Sequence, residues 1–151
     1  MNLSYPVTFK TYANGQVGAF FTDVPEAMTA GATAVEALAQ AEDALVVALS
    51  GYLDAGRPLP RARRAATGQP VVTPTPRIAL KLAIYAAMRD QGLTQAQLGE
   101  RLHISGRQVR RILDLDHESR LSQLEAALAA LGLRASVRVT KVAPELARAA
   151  A

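Results

Sequence analysis

The stretch Leu-Thr-Gln-Ala-Gln-Leu-Gly-Glu-Arg-Leu-His-Ile-Ser-Gly-Arg-Gln-Val-Arg-Arg-Ile-Leu, residues 93–113, decides the fold of the second half of the chain. It predicts two short helices, with Thr94 capping the first and Ser105 capping the second. His103 falls at the turn between them, where a left-handed backbone is needed, and histidine adopts that backbone more readily than most residues. Apolar residues recur at the three- and four-residue steps of a buried helix face: Leu98, Leu102, Val109, Ile112 and Leu113. The stretch therefore predicts a helix-turn-helix.

The second helix of this motif leaves a polar, cationic face toward solvent, formed by Gly106, Arg107, Gln108, Arg110 and Arg111. Arginine and glutamine read guanine and adenine edges in the major groove, and arginine also binds phosphate. We expect Gly106, Arg107, Gln108 and Arg111 to lie nearest the base edges, and Gln95 and Arg110 to hold phosphates. The alternative is an ordinary surface helix pair with a solvated arginine face.

The motif resembles the helix-turn-helix of the phage-repressor (Xre-like) family in its length and in its Thr-Gln opening, residues 94–95. Two positions depart from that family. Gly99 stands where a small alanine is usual, which lowers helix propensity but preserves close packing. His103 stands where glycine is usual. The resemblance implies binding to double-stranded operator DNA. Because one module binds weakly, we expect a homodimer, with a tetramer as the alternative.

The amino-acid composition limits the class of protein to which the chain can belong. The chain has 151 residues, half of them apolar and a fifth charged, which is typical of a globular protein. It has no cysteine, which excludes disulfides and thiolate metal sites and fits a cytoplasmic location. The first residues lack the pattern of a signal peptide, and no apolar stretch is long enough to span a membrane.

Charge is divided unevenly along the chain. Residues 1–56 hold one basic and six acidic residues, a net charge of −5. Residues 57–151 hold sixteen basic and seven acidic residues, a net charge of +9. An acidic half suits a basic protein partner, and a basic half suits nucleic acid phosphate. The asymmetry predicts two domains with separate tasks.

The first half carries the pattern of a small α+β domain. Alternating apolar residues predict strands over 4–12, 17–22 and 27–31. A capping box of Thr33 and Glu36 then opens a long helix that ends at Gly56. The residues expected on its buried face are Val35, Leu38, Ala41, Leu45, Leu49 and Tyr52.

The remaining segments are a linker, a set of helices and a last strand. Residues 57–74 are rich in proline and arginine and are predicted to be a linker, within which 71–73 could add an edge strand to the first sheet. A helix is expected over 75–91, and a last helix is expected to be capped by Ser119, with a leucine stripe at Leu121, Leu124, Leu128 and Leu131. Residues 135–139 alternate like a strand that lacks a partner, which a second copy of the chain could supply. The segment 141–151 is expected to be a flexible tail.

Residues 21–38 resemble the HicB family of antitoxins. The resemblance rests on a strand, then Asp-x-Pro, then Thr-x-Gly-x-Thr-x-x-Glu-Ala-Leu. The matching residues are Asp23, Pro25, Thr29, Gly31, Thr33, Glu36, Ala37 and Leu38. Together with the helix-turn-helix, this pattern extends the resemblance over residues 3–139.

The resemblance implies a fold and a function. It implies an incomplete ribonuclease-H-like β-β-β-α-β domain, residues 1–56 with 71–73, that binds rather than cleaves. That domain would mask a HicA-like toxin, a basic ribonuclease that cleaves messenger RNA. An all-α helix-turn-helix domain with a C-terminal strand, residues 75–140, would repress the antitoxin's own operon. We expect Phe21, Asp23, Pro25 and Glu26 to form an exposed ridge that contacts the toxin.

Enzymatic activity is not expected. A metal-dependent nuclease needs converging carboxylates, and the acidic residues of the first domain show no such pattern. The two histidines have no base or nucleophile partner, and no phosphate loop or metal-ligand spacing occurs. We therefore expect no metal and no cofactor. The alternative function is a stand-alone helix-turn-helix transcriptional regulator whose first domain senses a small ligand, and an adjacent frame for a short basic protein would argue against it.

Overall fold

The computed structural model describes residues 1–141, so the predicted tail, apart from Lys141, lies outside the described residues. The described chain has α+β architecture with four strands and five helices. In order these are β1 (Tyr5–Thr11), β2 (Val17–Phe21), β3 (Met28–Gly31), α1 (Ala34–Asp54), β4 (Val71–Val72), α2 (Pro76–Asp90), α3 (Gln95–Leu102), α4 (Gly106–Leu113) and α5 (Leu121–Ala130). Two compact units contain them. Among the described residues, the sheet unit holds Asn2–Gly51, Pro60–Pro74 and residues 138–141, and the helical unit holds Met1, Tyr52–Leu59 and Thr75–Val137.

The sheet unit is built on an antiparallel sheet in the order β3-β2-β1-β4. Its register aligns Val7 with Phe21 and Tyr5 with Val72. All four of these side chains are buried. The alternation of apolar residues in the first two strands therefore faces the core as predicted, and the short edge strand near residue 71 is confirmed.

Helix α1 buries a stripe that differs from the predicted one at its start. Val35 is 47% exposed, whereas Ala37, Ala41, Leu45 and Leu49 are fully buried. Because each helical residue turns by about 100°, Val35 points about 200° away from Ala37 and faces solvent. The prediction that Val35 belongs to the core is wrong.

Much of the segment predicted as a linker packs on the sheet unit. The Tyr5 hydroxyl donates to the Pro60 carbonyl at 2.9 Å, and Gln69 Nε2 donates to the Val7 carbonyl at 3.2 Å. The Val7 amide donates to the Pro70 carbonyl at 2.9 Å. These bonds join residues more than 50 positions apart, so residues 60–74 are part of the sheet unit's folded structure.

The helical unit encloses its own core. Pro76 occupies the first turn of α2, where its missing N–H costs no hydrogen bond, and Gly92 ends the helix with φ +62°. The fully or almost fully buried side chains at the centre of this core are Ile84, Leu98, Val109, Leu124 and Ala127. Most of the predicted apolar stripes, including Leu124, Leu128 and Leu131 of the last one, therefore lie in a single small helical core.

Two predictions for the last part of the chain are wrong. The N-cap of α5 is Arg120 rather than Ser119, and Leu121 is 59% exposed rather than buried. The predicted strand over 135–139 is absent, and Val137 and Val139 are 81% and 91% exposed. No neighbouring strand in residues 1–141 offers this segment a ladder of hydrogen bonds, and an isolated strand is not stable.

The charge contrast is smaller between the folded units than between the two halves of the sequence. Because residues 60–74 bring three arginines to the sheet unit, the described residues of that unit include six basic and five acidic residues, a net charge of +1. The helical unit has ten basic and seven acidic residues, a net charge of +3. The excess of positive charge is therefore concentrated in the helical unit, but the sheet unit is close to neutral.

Candidate functional site

Helices α3 and α4 form the predicted pair, and each begins with a reciprocal capping box. The Gln97 amide donates to Thr94 Oγ1 at 3.2 Å, and the Thr94 amide donates to Gln97 Oε1 at 2.9 Å. The same pair of bonds joins Ser105 and Gln108, at 3.3 and 2.9 Å. Both predicted caps are confirmed, and they fix the first turn of each helix.

The turn between the two helices is tight for two reasons. His103 has φ 54° and ψ 42°, the left-handed conformation predicted for it. Gly99 packs closely on the turn, because a Cβ atom placed there would lie 3.0 Å from the Ile104 carbonyl oxygen and 3.3 Å from Val109 Cγ2. A small residue at position 99 therefore lets α3 and the turn approach α4.

The outer face of α4 carries three exposed arginines, Arg107, Arg110 and Arg111. Within residues 1–141 none of these guanidinium groups forms an ion pair with a carboxylate. The opposite face of the helix is buried through Val109, Ile112 and Leu113. The helix thus separates a cationic surface from an apolar one, and the cations are available to an anionic partner.

The two glutamines predicted to contact DNA lie in different surroundings. Gln95 is exposed at the first position of α3, beside an open cleft of about 680 Å³ that also borders Gly106. Gln108 is exposed, but its Oε1 accepts hydrogen bonds from the Ser105 amide and hydroxyl at 2.9 and 3.0 Å. In this conformation Gln108 Oε1 is used in the N-cap of α4, and the Nε2 group of the same side chain remains available as a hydrogen-bond donor.

The other end of α4 is held by a lysine that the sequence analysis did not single out. Lys81, from α2, is fully buried, and its Nζ donates to three carbonyl oxygens. The acceptors are those of Arg111 at 3.0 Å, Asp114 at 2.5 Å and His117 at 2.7 Å. These carbonyls belong to the last turn of α4 and to the loop that follows it.

The electrostatic surroundings of Lys81 disfavour its charge. Burial, reinforced by the neighbouring Arg77, lowers the pKa of Lys81 from 10.5 to about 8, while Asp114 and Asp116 act in the opposite direction. One sequence signal could have identified this residue. Lys81 lies three positions after Ile78 and four before Tyr85, on the buried face of α2, where an unpaired lysine is rarely found.

The predicted ridge in the sheet unit is only partly a surface. Phe21 is 1% exposed and belongs to the core, so its assignment to an exposed ridge is wrong, since β2 turns its side chain inward beside Ala19. The Asp23 side chain is 11% exposed and binds Arg63 twice, through Arg63 Nε at 2.7 Å and the Arg63 amide at 3.0 Å. No local sequence pattern predicts this pair, because its members lie 40 residues apart.

Two other members of the ridge do reach the surface. Pro25 and Glu26 are exposed between β2 and β3, and Met28, two residues further on, is 58% exposed in an edge strand. The structure thus brings Pro25 and Glu26 to one exposed turn, with Asp23 partly covered behind a salt bridge.

Residues 1–141 contain neither a candidate metal site nor a candidate membrane-spanning helix. No group of three or more histidine and carboxylate side chains there is arranged to hold a metal ion. None of the helices in the same residues combines the length and the apolar character needed to cross a lipid bilayer.

Comparison with known proteins gives the family. Residues 4–83 match the family described as the HicB-like antitoxin of bacterial toxin–antitoxin systems. The chain is 34% identical over 131 residues to antitoxin HicB 1 of Photorhabdus laumondii, covering 87% of this chain and 83% of the relative. It is 34% identical over 121 residues to antitoxin HicB of Pseudomonas fluorescens, covering 80% of this chain and 83% of the relative.

A more distant relative agrees. Antitoxin HicB of Escherichia coli K12 is 27% identical over 135 residues, which cover 89% of this chain and 98% of that protein. Such antitoxins are non-enzymatic regulatory proteins, so the expectation that the chain is not an enzyme is confirmed. Their role also implies a toxin as partner. The chain therefore belongs to the HicB-like antitoxin family of bacterial toxin–antitoxin systems.

Proposed function

We propose that this antitoxin binds the operator DNA of its own operon through α4 and represses transcription. The observation that carries the proposal is the row of three exposed arginines on α4, Arg107, Arg110 and Arg111, which have no carboxylate partner within residues 1–141. Guanidinium groups on one face of a helix of this length suit the phosphates and guanine edges of the major groove. The net charge of +3 on the helical unit favours the same partner.

The α3–α4 pair supports this assignment to a helix-turn-helix. Its two capping boxes and its left-handed turn at His103 hold α4 on the rest of the unit with the arginine face outward. We assign Arg107 and Arg111 to base edges, with Gln108 contributing its Nε2 group and Gly106 permitting close approach. Gln95 and Arg110 are assigned to phosphates.

Gel-shift titration tests the DNA-binding proposal. The probe is a duplex of the region directly upstream of the reading frame, and the competitor is an unrelated duplex of equal length. The proposal expects the upstream duplex to be bound at least a hundredfold more tightly at about 0.15 M salt, within the usual range for operator proteins. Equal affinity for both duplexes would contradict operator recognition.

We also propose that the operator-binding species is a homodimer. Two copies of α4 would then reach half-sites about 34 Å apart, or a multiple of that distance, with a tetramer as the alternative assembly. Sedimentation at micromolar concentration tests this, and a strict monomer would contradict it.

We propose further that the sheet unit is an incomplete ribonuclease-H-like domain that masks a HicA-like ribonuclease toxin. Support comes from the order β1, β2, β3, α1, β4 and from an exposed turn at Pro25 and Glu26 beside the apolar Met28. Because Phe21 is buried and Asp23 is paired, we place the contact on Pro25, Glu26 and Met28 instead.

Co-expression tests the toxin proposal. A tagged antitoxin should co-purify with the product of the adjacent reading frame and should block its cleavage of RNA. The double variant Glu26→Lys, Met28→Asp should weaken this complex, whereas Asp43→Lys, an exposed site on α1, should not. Full inhibition by the double variant would move the contact elsewhere on the unit.

A further inference from the structure

We propose that Lys81 is a positioning residue for α4: its ammonium group anchors the end of the helix and the following loop, and so fixes where the arginine face meets DNA. The proposal rests on the proposed function in one respect, namely that α4 binds DNA. The anchoring itself stands on the geometry of a buried cation and three backbone carbonyls.

The chemistry of the two partners is matched. The last carbonyls of a helix have no acceptor role within the helix, and they form the negative end of its dipole. An ammonium group has three donors and no acceptor. Lys81 Nζ uses them on the carbonyls of Arg111, Asp114 and His117, which span the end of α4 and the loop after it. One side chain from α2 therefore joins three points of this backbone. The Arg111 carbonyl also accepts from Ser119 Oγ at 3.2 Å, and the Asp114 carbonyl also accepts from the His117 amide at 3.2 Å.

The need for such an anchor follows from the size of α4. The helix has eight residues, and a helix of two turns is not stable without tertiary contacts. Its first turn is held by the Ser105–Gln108 box, and its last turn by Lys81. Arg110 and Arg111 lie within this last turn. A loosened C-terminal end would displace these two guanidinium groups by more than a hydrogen bond tolerates.

The anchor is sensitive to alkaline pH. The charged groups that act on Lys81 are Arg77 from α2 and Asp114 and Asp116 from the loop, and Glu118 binds Arg77 at 3.0 Å. Burial brings the pKa of Lys81 to about 8. Above that pH the neutral amine keeps two donors for three carbonyls, so Lys81 can no longer bind all three of them at once.

The test begins with the wild-type protein and the upstream duplex at constant ionic strength. Affinity for the duplex is measured from pH 7.5 to pH 9.5, and we expect it to fall about three- to tenfold. A change of this size corresponds to part of the free energy of one charge-assisted hydrogen bond. Lys81→Met removes all donors at similar volume. It should bind about tenfold more weakly at pH 7.5 and should lose the pH dependence. The matched control is Lys10→Met, which replaces an exposed lysine of the sheet unit. This variant should keep the wild-type affinity at pH 7.5 and the wild-type pH dependence.

A second readout is independent of DNA. The Asp114 amide donates to Arg110, and the His117 amide donates to Asp114, so their hydrogen exchange reports on the anchored segment. At one pH, both amides should exchange at least tenfold faster in Lys81→Met than in wild type, whereas amides at the start of α4 should change less. If Lys81→Met does not fold, carbon-13 NMR titration of the three lysines in wild type replaces it, with the Lys81 resonance titrating in step with the loss of affinity.

The outcomes separate the two proposals. If no form binds the upstream duplex at any pH, the DNA-binding function is wrong, and the exchange rates alone decide the anchor. If wild type binds with an affinity that stays within twofold from pH 7.5 to 9.5, or if Lys81→Met keeps the same exchange rates at Asp114 and His117, Lys81 does not position α4.

Discussion

The two groups of arginines in this chain are used differently. In the sheet unit, Arg63 binds the partly buried Asp23 through its side chain and its backbone amide. On α4, Arg107, Arg110 and Arg111 are exposed and form no ion pair within residues 1–141. The comparison teaches that an arginine-rich stretch is informative only when its partners are known. A paired arginine joins parts of the fold, whereas an unpaired row on one helix face is available to an external anion.

The same distinction changes how the charge of the chain is understood. The sequence divides into a half with net charge −5 and a half with +9, but the described residues of the sheet unit and the helical unit carry +1 and +3. Residues 60–74 account for much of the change, because they bring three arginines to the sheet unit. If the sheet unit binds a basic toxin as proposed, recognition must therefore depend on local surface, such as the turn at Pro25 and Glu26, rather than on the net charge of the unit.

The largest expected effect concerns Lys81, a cation that is bonded to backbone carbonyls instead of a carboxylate. Its pKa falls from 10.5 to about 8 in the folded protein, so between these values the unfolded chain holds a proton that the folded chain has released. The free energy of unfolding should therefore rise as the pH increases from about 8 to about 10.5, by about 3 kcal/mol at most. Urea denaturation at several pH values measures it.

The control for that experiment is Lys81→Met, which has the same tyrosines and arginines but lacks the buried amine. Its free energy of unfolding should change less over this pH range. If the free energy of unfolding changed with pH in the same way in both proteins, Lys81 would have the same pKa in the folded and unfolded states. Burial of its charge would then not destabilise the fold.

Arg107→Ala tests the unpaired group. It should weaken binding to the upstream duplex by about 1 to 3 kcal/mol and relax the preference at one base position, with little change in stability. Arg64→Ala, an exposed arginine of the sheet unit, should leave DNA affinity unchanged. An equal loss on every DNA sequence would show that Arg107 contacts phosphate only.

Asp23→Ala tests the paired group. It removes the acceptor of two hydrogen bonds from Arg63, and we expect a loss of about 1 kcal/mol in stability, because the pair is only partly shielded from water. Asp43→Ala, at an exposed site on α1, should change stability by less than about 0.5 kcal/mol. Thermal unfolding measures the midpoint temperature of both variants. Equal midpoints for Asp23→Ala and Asp43→Ala would show that the Asp23–Arg63 pair does not stabilise the fold.

The smallest effect is expected at the packed corner that supports α4. Gly51→Ala, in α1 with open space around it, should stabilise the protein by about 0.5 to 1 kcal/mol through helix propensity. At Gly99 the same gain in helix propensity is offset by a close contact between the new Cβ atom and the Ile104 carbonyl. The free energy of unfolding of Gly99→Ala should therefore be within about 0.5 kcal/mol of that of wild type. An equal gain at both sites would show that the corner is less tightly packed than the structure indicates.

Local signals made the helix pair α3–α4 and the turn between its helices predictable. Thr94 and Ser105 are caps that act within three residues, and the left-handed His103 is required by the turn itself. The first two strands were predictable for the same reason, since alternation of apolar residues is read along the strand. These features depend on contacts between residues that are close together in the sequence, so a local sequence pattern is enough to predict them.

Some of the errors are local, such as the exposed Val35 and Leu121, and the others concern contacts between distant residues. The Asp23–Arg63 pair and the packing of residues 60–74 join positions that no local pattern connects. The strand predicted over 135–139 has suitable alternation, but a strand also needs a neighbour, which residues 1–141 do not supply. The position of Lys81 on a buried stripe could have marked it, but its three carbonyl partners lie at least 30 residues away and no local pattern indicates them.

The most direct test of the central claim is a salt titration of binding to the upstream duplex. Wild type is compared with the triple variant Arg107→Ala, Arg110→Ala, Arg111→Ala. The account predicts that wild-type affinity declines steeply with salt, and that the slope is smaller in the triple variant by about 0.9 for each phosphate it no longer binds. It also predicts that the triple variant binds at least a hundredfold more weakly while its folding is unchanged. Equal affinities and equal slopes for the two proteins would contradict it.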